Sequence, residues 1–193
     1  MYIKFKIFNN FKMNDIIKFL KTRNVKSPSR SNKYDAGIDF YIPELTPQYL
    51  EDFYKKNSCE YVGDINVTDG DDGVKIHIPP QKRVLLPSGI HCQMSEPGRA
   101  FIAANKSGVA TKTGLIFGAQ IVDFEYQGEI HLSLINTSDE EVVLTGGMKI
   151  LQFIEMPVFN SDIEVEEDKS VVDFYLKETT RGANGFGSSD MNQ

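Results

Sequence analysis

An all-β, antiparallel fold of sandwich or jelly-roll-like barrel type is what this sequence predicts, on two observations. From Lys75 onward, short runs rich in Val, Ile and Phe recur between Gly, Pro and Asn signals: VKIHI, RVLLP, RAFIAA, IVDFEY, EIHLSLIN, EEVVLT and MKILQFIEM. Runs of that length, punctuated by turn residues, are the pattern of a compact antiparallel sheet structure. After residue 55, moreover, no stretch sustains a helical period over three turns, so the core is built from strands.

The elements follow in chain order. Residues 2–8 (YIKFKIF) alternate apolar and basic side chains, the period of a half-buried strand. Residues 14–22 are read as a short helix, with Asn14 as cap ahead of Ile16, Ile17, Phe19 and Leu20. After Pro43 the pattern changes. TPQYLEDFYKKN reads as a helix capped by Thr46 with Pro47 in its first position, and VTDGDDG as an acidic turn. This makes residues 44–74 an expected insertion in one domain spanning residues 1–180. The last thirteen residues, RGANGFGSSDMNQ, place three glycines around one Phe, and residues 181–193 are expected to form a flexible C-terminal arm.

Composition narrows the function classes. A chain of 193 residues with 40% hydrophobic and 25% charged residues is long enough for one real core and is typical of a folded, water-soluble protein. A formal net charge of -6 argues against general nucleic-acid binding, which rests on clustered Lys and Arg. An anionic substrate therefore needs local cations or a metal. Cys59 and Cys92 are too far apart in sequence to read as a metal pair, and two free thiols suit a reducing compartment. No apolar run reaches the length of a signal-peptide core or a membrane span. No membrane association is expected, and the expected location is the cytoplasm, or the host cytoplasm for a viral protein.

Five short segments set polar residues among apolar strands and turns. In order they are Tyr34-Asp35-Ala36-Gly37-Ile38-Asp39-Phe40, Asn105-Lys106-Ser107-Gly108-Val109-Ala110, Gly118-Ala119-Gln120-Ile121-Val122-Asp123-Phe124-Glu125-Tyr126-Gln127-Gly128, Gly147-Met148-Lys149-Ile150-Leu151-Gln152, and Arg181-Gly182-Ala183-Asn184-Gly185-Phe186-Gly187-Ser188-Ser189. Together they resemble the five ordered motifs of the homotrimeric dUTPase family, and IPPQKRVLLPSGI at residues 78–90 resembles the strand-turn-strand between that family's first two motifs. The resemblance spans residues 34–189. It implies a dUTPase-type barrel that hydrolyses dUTP to dUMP and diphosphate, keeping uracil out of DNA and supplying dUMP for thymidylate synthesis. It also implies Mg²⁺ as cofactor and a homotrimer whose sites are shared between subunits.

The resemblance assigns roles to individual residues. Asp123 is the carboxylate that orients and deprotonates the attacking water, although an isolated Asp at that place reads as a turn residue. Tyr126 lies against the deoxyribose and leaves no room for a 2′-hydroxyl; by itself a strand Tyr reads as a core aromatic. Ala119 and Gln120 begin a β-hairpin whose backbone reads uracil, with Gln120 bulkier than the family's Gly. Ser107 and Gly108 offer a hydroxyl and an N–H to the phosphates. Lys106 supplies charge where the family usually has Arg, and a Lys lacks the bidentate fork. Gln152 breaks an apolar strand, so its amide faces solvent or reaches a phosphate or water. Asp39 helps to hold the magnesium hydration shell and the phosphate-binding cation, with Mg²⁺ itself held mainly by substrate phosphates. In the arm, Arg181 neutralises the γ-phosphate, Phe186 stacks on uracil, Gly187 lets the backbone wrap the phosphates, and Ser188 and Ser189 donate hydrogen bonds.

Two other readings bear on the same residues. A dCTP deaminase shares this β architecture but needs an acid/base group at the pyrimidine C4 and carries a different second motif. A non-catalytic structural or regulatory trimer is the other, with the 44–74 segment as a surface for a protein partner.

Overall fold

The computed structural model describes residues 16–57, 65–175 and 179. It contains twelve strands and three short helices among those residues, so the all-β expectation holds. The ladders form four antiparallel sheets and no closed ring among the described residues. The expected strand at residues 2–8 and the arm at 181–193 lie outside them.

Strand β1 (Lys18–Lys21) pairs with β6 (Ile90–Gln93). This corrects the helix expected over residues 14–22. Four apolar residues in five positions fit either period, and the choice falls to tertiary contacts. Ile17 and Phe19 alternate inward while Lys18 and Leu20 face out, and the Phe19 ring meets Phe40 edge-on at 5.9 Å and Phe101 at 6.1 Å.

Helix α1 (Pro47–Lys56) forms as expected: the Thr46 hydroxyl accepts the Tyr49 N–H at 3.2 Å, Pro47 opens the helix, and Tyr49 and Phe53 are buried. It ends on Asn57, whose side chain imitates a neighbouring strand. The amide nitrogen donates to Leu85 O at 2.8 Å and to Phe53 O at 2.7 Å, and the amide oxygen accepts Leu85 N–H at 2.9 Å. Strand β5 (Arg83–Pro87) is an edge of its sheet, and these contacts satisfy backbone groups the edge leaves open.

Strands β3 (Asn66–Gly70) and β4 (Gly73–Ile78) form a hairpin closed at Asp71–Asp72, with Gly73 at φ 88°; the expected acidic turn is thus shorter than VTDGDDG, whose first four residues belong to β3. Strand β11 (Val142–Thr145) joins β4 on its other side. The third sheet takes β5, β10 (His131–Asn136) and β8 (Leu115–Phe117). The fourth takes β2 (Ile38–Tyr41), β12 (Lys149–Pro157), β7 (Arg99–Asn105) and β9 (Ile121–Val122) in that order.

One hydrophobic cluster draws on every sheet. Phe40, Ile76, Leu86, Phe101, Leu134 and Phe153 are all sequestered in it, with α1 adding Tyr49 and Phe53. Asn136 is fully buried and spends its amide on Ile78 O, Pro79 O and Glu140 O, so the strand end it sits on carries no unsatisfied donor. Cys92 is free and half-buried, and burial pushes its thiol up to about 12, which makes it a poor nucleophile. No helix among the described residues is long and apolar enough to cross a membrane. Residues from Asn160 onward form a separate unit. Within it, α3 (Val171–Phe174) is capped by Ser170, which accepts the Asp173 N–H at 3.2 Å.

Candidate active site

The fourth sheet sets Asp39 and Gln152 directly opposite each other, with Ala104 on the far side of Gln152. Side chains alternate along a strand, so Lys149 should share the core face with Leu151 and Phe153. A bulge changes that. The register between β12 and β2 shifts between Lys149 and Leu151, both Ile150 and Leu151 turn inward, and Lys149 pairs with Tyr41 on the face of Asp39.

Asp39 is only 3% exposed, yet its carboxylate is fully engaged. Lys106 Nζ donates to Oδ1, Lys149 Nζ lies 2.9 Å from Oδ2, and Ser31 Oγ donates to Oδ2 at 3.2 Å. The Ser29–Ser31 segment is brought over it by a backbone bridge, with Asp39 N–H donating to Ser29 O at 2.8 Å. Burial works to raise the Asp39 carboxyl, but the two ammonium groups outweigh it and hold the group below the usual aspartate range. The same contact raises Lys149. Asp39 thus anchors Lys106, the residue to which the resemblance assigns the phosphates, together with Lys149.

Gln152 donates its amide to the Asn105 carbonyl at 2.8 Å, so it steadies the backbone immediately before Lys106. Its amide oxygen fills the space where a Cβ would stand at Gly37, so a side chain there would displace the Gln152 amide. Asn105 in turn accepts the Phe117 N–H at 2.9 Å. Gly37, Asn105, Gln152, Asp39 and Lys106 therefore form one connected unit.

Lys106 is the extended N-cap of α2 (Ser107–Thr113), a helix not anticipated from the sequence. Ser107 and Gly108 are exposed in its first turn, where N–H groups have no partner inside a helix. The helix ends at Gly114, which takes φ 69° and packs so close to Ser138 that a side chain would collide with it.

Ala119 and Gln120 are exposed in the link between β8 and β9. This link is not a hairpin turn, because β8 pairs with β10 and β9 pairs with β7. The Gln120 carbonyl is taken by Ala103 N–H at 2.7 Å. Asp123 follows β9 and opens a tight turn in which its carbonyl accepts the Tyr126 N–H at 3.2 Å. Its carboxylate side is exposed, as is Tyr126, whose hydroxyl donates to Glu129 O at 3.0 Å. Tyr126 is therefore no core aromatic.

The two groups of residues stand apart. Val122 pairs with Phe101 and Ile121 with Ile102, so Asp123 falls beside the Ala100 end of β7, while Lys106 follows its other end. Six extended residues separate those ends, roughly 20 Å at about 3.3 Å per residue. Within one chain the structure brings together Asp39, Lys106, Ser107, Gly108 and Gln152, and separately Asp123 and Tyr126. Arg181, Phe186, Gly187, Ser188 and Ser189 lie outside the described residues.

Comparison with known proteins identifies the family. Residues 74–190 match the family model described as dUTPase. The chain belongs to the dUTPase family. The deoxyuridine 5′-triphosphate nucleotidohydrolase of Legionella pneumophila (strain Paris) is 33% identical over 132 residues, covering 63% of this chain and 82% of the relative. The Yarrowia lipolytica enzyme of the same name is 28% identical over 169 residues, covering 88% of this chain and 85% of its own. Among solved structures, a mutant Staphylococcus bacteriophage 80alpha dUTPase with dUpNHpp shares the fold at a TM-score of 0.65 and 17% identity, covering 90% of this chain and 98% of its own. A mutant dUTPase from phage phi11 of S. aureus, described as revealing the coordination of a structural Mg(II) ion, superposes with a TM-score of 0.58 at 17% identity over 80% of this chain and 99% of its own.

Three participants in the site were not singled out from the sequence: Ser31, Asn105 and Lys149. Asn105 and Lys149 stand inside the recognised motifs, but nothing in the spacing marks a bulge that would turn Lys149 toward Asp39. Ser31 has no signal beyond its place just before the first motif.

Proposed function

We propose that this dUTPase-family chain hydrolyses dUTP to dUMP and diphosphate at sites shared between copies of the chain. The observation that carries this reading is the separation of Asp123 from Lys106 along β7, roughly 20 Å at about 3.3 Å per residue. A water-activating carboxylate and a phosphate-binding cation that serve one triphosphate must come closer than that, and neighbouring copies supply the approach. A homotrimer with closed symmetry gives each copy the same arrangement.

In this reading Lys106, anchored on Asp39, neutralises the phosphate chain. The Ser107 hydroxyl and the Gly108 N–H donate to phosphate oxygens from the first turn of α2. Asp123 of a neighbouring copy orients a water and takes its proton as the water attacks phosphorus. Tyr126 closes off the 2′ position, and exposed backbone near Ala119 approaches the base. Residues 181–193 act as a lid, with Arg181 on the γ-phosphate, Phe186 on uracil, and Gly187, Ser188 and Ser189 around the phosphates. Closure excludes water and strengthens every charge inside.

Mg²⁺ fits the residues present as a substrate-borne ion. Asp39 spends both oxygens on lysines, and among the described residues no three His, Cys, Asp or Glu side chains gather as a metal cage. That donor set suits a cation held by phosphates and waters, with protein groups acting through the water shell. When bound, the ion supplies charge neutralisation at the phosphate oxygens.

Mixing subunits tests the shared site. Asp123→Asn and Lys106→Ala are each expected to be nearly inactive in pyrophosphate release from dUTP with Mg²⁺. Co-refolded in equal amounts they should recover about a quarter of the wild-type rate, because each mixed trimer holds one intact site. No recovery in mixed trimers shown to form by mass measurement would refute the shared site. Full activity of Asp123→Asn alone would refute its role as base.

A further inference from the structure

Glu129 lies beyond the residues assigned any role, and the contacts around it lead to Tyr126. Its backbone carbonyl accepts two hydrogen bonds, one from the Tyr126 hydroxyl at 3.0 Å and one from His131 Nδ1 at 2.8 Å. The Tyr126 ring also lies against Gly128 so closely that any Cβ there would strike its hydroxyl. The ring is therefore located by a tether to Glu129 and by close contact with Gly128, where a side chain would displace it.

The Glu129 carboxylate is fixed from two directions. Oε1 accepts the Gly89 N–H at 2.6 Å and Arg23 Nε at 2.8 Å, while Oε2 accepts the Arg23 terminal nitrogen at 3.1 Å. Two parallel N–H···O contacts between guanidinium and carboxylate fix orientation as well as charge. Arg23 is itself braced by Asp52 of α1 at 2.9 Å and stands 5.6 Å from the centre of the Tyr49 ring. Gly89, at φ 71°, leaves Arg23 room that a side chain would take.

Both members of the pair are mostly buried, at 19% and 17% side-chain exposure, so solvent screens the contact only partly. Burial works to raise the Glu129 carboxyl; Arg23 and the Gly89 N–H prevail and keep it ionised. Nearby, Tyr49 Oη and His131 Nε2 are buried without a hydrogen-bond partner among the described residues. His131 is kept neutral by the same burial, which suits its role as a single Nδ1–H donor.

We infer that Arg23 and Glu129 are positioning residues for Tyr126, forming a strut from α1 to the sugar-discriminating ring that sets the preference for deoxyribonucleotides. The inference rests on the proposed role of Tyr126 against the sugar. Steric exclusion of a single hydroxyl depends on where the ring stands within fractions of an ångström, and a loose tether lets the ring retreat. The strut also makes the expected insertion part of substrate selection, because Asp52 on α1 supports its outer end.

The test compares kcat/KM for dUTP and UTP in Tyr126→Ala, Arg23→Gln, Glu129→Gln, Arg23→Lys and Asp52→Ala, with Glu51→Gln as a control on the same helix. Thermal melting checks folding. Tyr126→Ala should collapse the dUTP preference. Arg23→Gln and Glu129→Gln should reduce it about tenfold, with KM for dUTP rising more than kcat falls, as a misplaced positioning group does. Arg23→Lys, which keeps charge without the fork, should fall between them and wild type, and Glu51→Gln should match wild type. If Tyr126→Ala keeps the preference, the role of Tyr126 fails and the strut with it. If Tyr126→Ala loses it while folded Arg23→Gln and Glu129→Gln retain it, the strut alone is overturned. Should those two not fold, an unchanged preference in both Arg23→Lys and Asp52→Ala overturns it equally.

Discussion

Replacing Asp39 by Asn removes one charge and keeps the shape, so it isolates the electrostatic part of the site. The carboxylate is 3% exposed and is shared by Lys106 and Lys149. Breaking a fully buried pair by removing one partner costs about 3–5 kcal/mol. Here the lysine side chains retain 20% and 37% exposure, so water recovers part of the loss, and about 2 kcal/mol is the expected destabilisation at neutral pH. For a chain of this size that is a fall in Tm of roughly 4–8 °C. The pH dependence has a definite sign. Asp39 is held below its ordinary range in the fold, so its contribution is fully present above the unfolded value of about 3.9 and is lost as pH falls through the lower folded value. Urea unfolding of wild type and Asp39→Asn, at matched protein concentration, should show the gap from pH 8 to pH 5 and its narrowing below about pH 4. Equal midpoints at pH 7, or a gap that widens on acidification, would refute the account. Because Lys106 loses its anchor, KM for dUTP should rise in the same variant.

Three further perturbations follow from named contacts. Asn57→Ala should lower the urea midpoint by the equivalent of about 2–3 kcal/mol, since it strands the N–H and C=O of Leu85, while leaving dUTP kinetics unchanged. Gly37→Ala forces the Gln152 amide from its place and frees the Asn105 carbonyl; about 1–3 kcal/mol of stability should be lost, together with kcat/KM for dUTP in a pyrophosphate-release assay. Ending the chain before Arg181 should leave a folded protein by circular dichroism with little hydrolysis, and full activity in that truncation would remove the lid.

Much of the fold was legible because strands with one buried face announce themselves by alternation and turn residues. Six of the seven segments from Lys75 onward became β4, β5, β7, β10, β11 and β12, while IVDFEY kept only Ile121–Val122 as strand before turning, and Thr46-Pro47 marked the start of α1. The failures have physical causes. At residues 16–20 an apolar cluster satisfied both periods, and pairing with β6 decided for a strand. Helix α2 has no buried residue and so no apolar stripe to detect; Gly114 at its end is its clearest signal. In the site, Asp39 and Gln152 stood out because polar residues interrupt apolar strands, whereas Lys106 was singled out by the resemblance of its motif alone. Lys149 was passed over because strand parity puts it in the core, and only the bulge beside Ile150 reverses that.

That bulge bears on how an acidic chain with Lys in place of the family's Arg meets a triphosphate. A single ammonium is a point charge and cannot hold a phosphate in a fixed plane. Two ammonium groups pinned to one buried carboxylate are a different object: their separation is fixed by the carboxylate, their flexible stems are ordered before substrate arrives, and the local charge is positive although the chain is net negative. Ordering the cations in advance removes part of the entropy cost that binding would otherwise carry. Asp39 therefore contributes most by its burial, which fixes the two ammonium groups on the sheet; a carboxylate free to move in solvent would neutralise the lysines without orienting them.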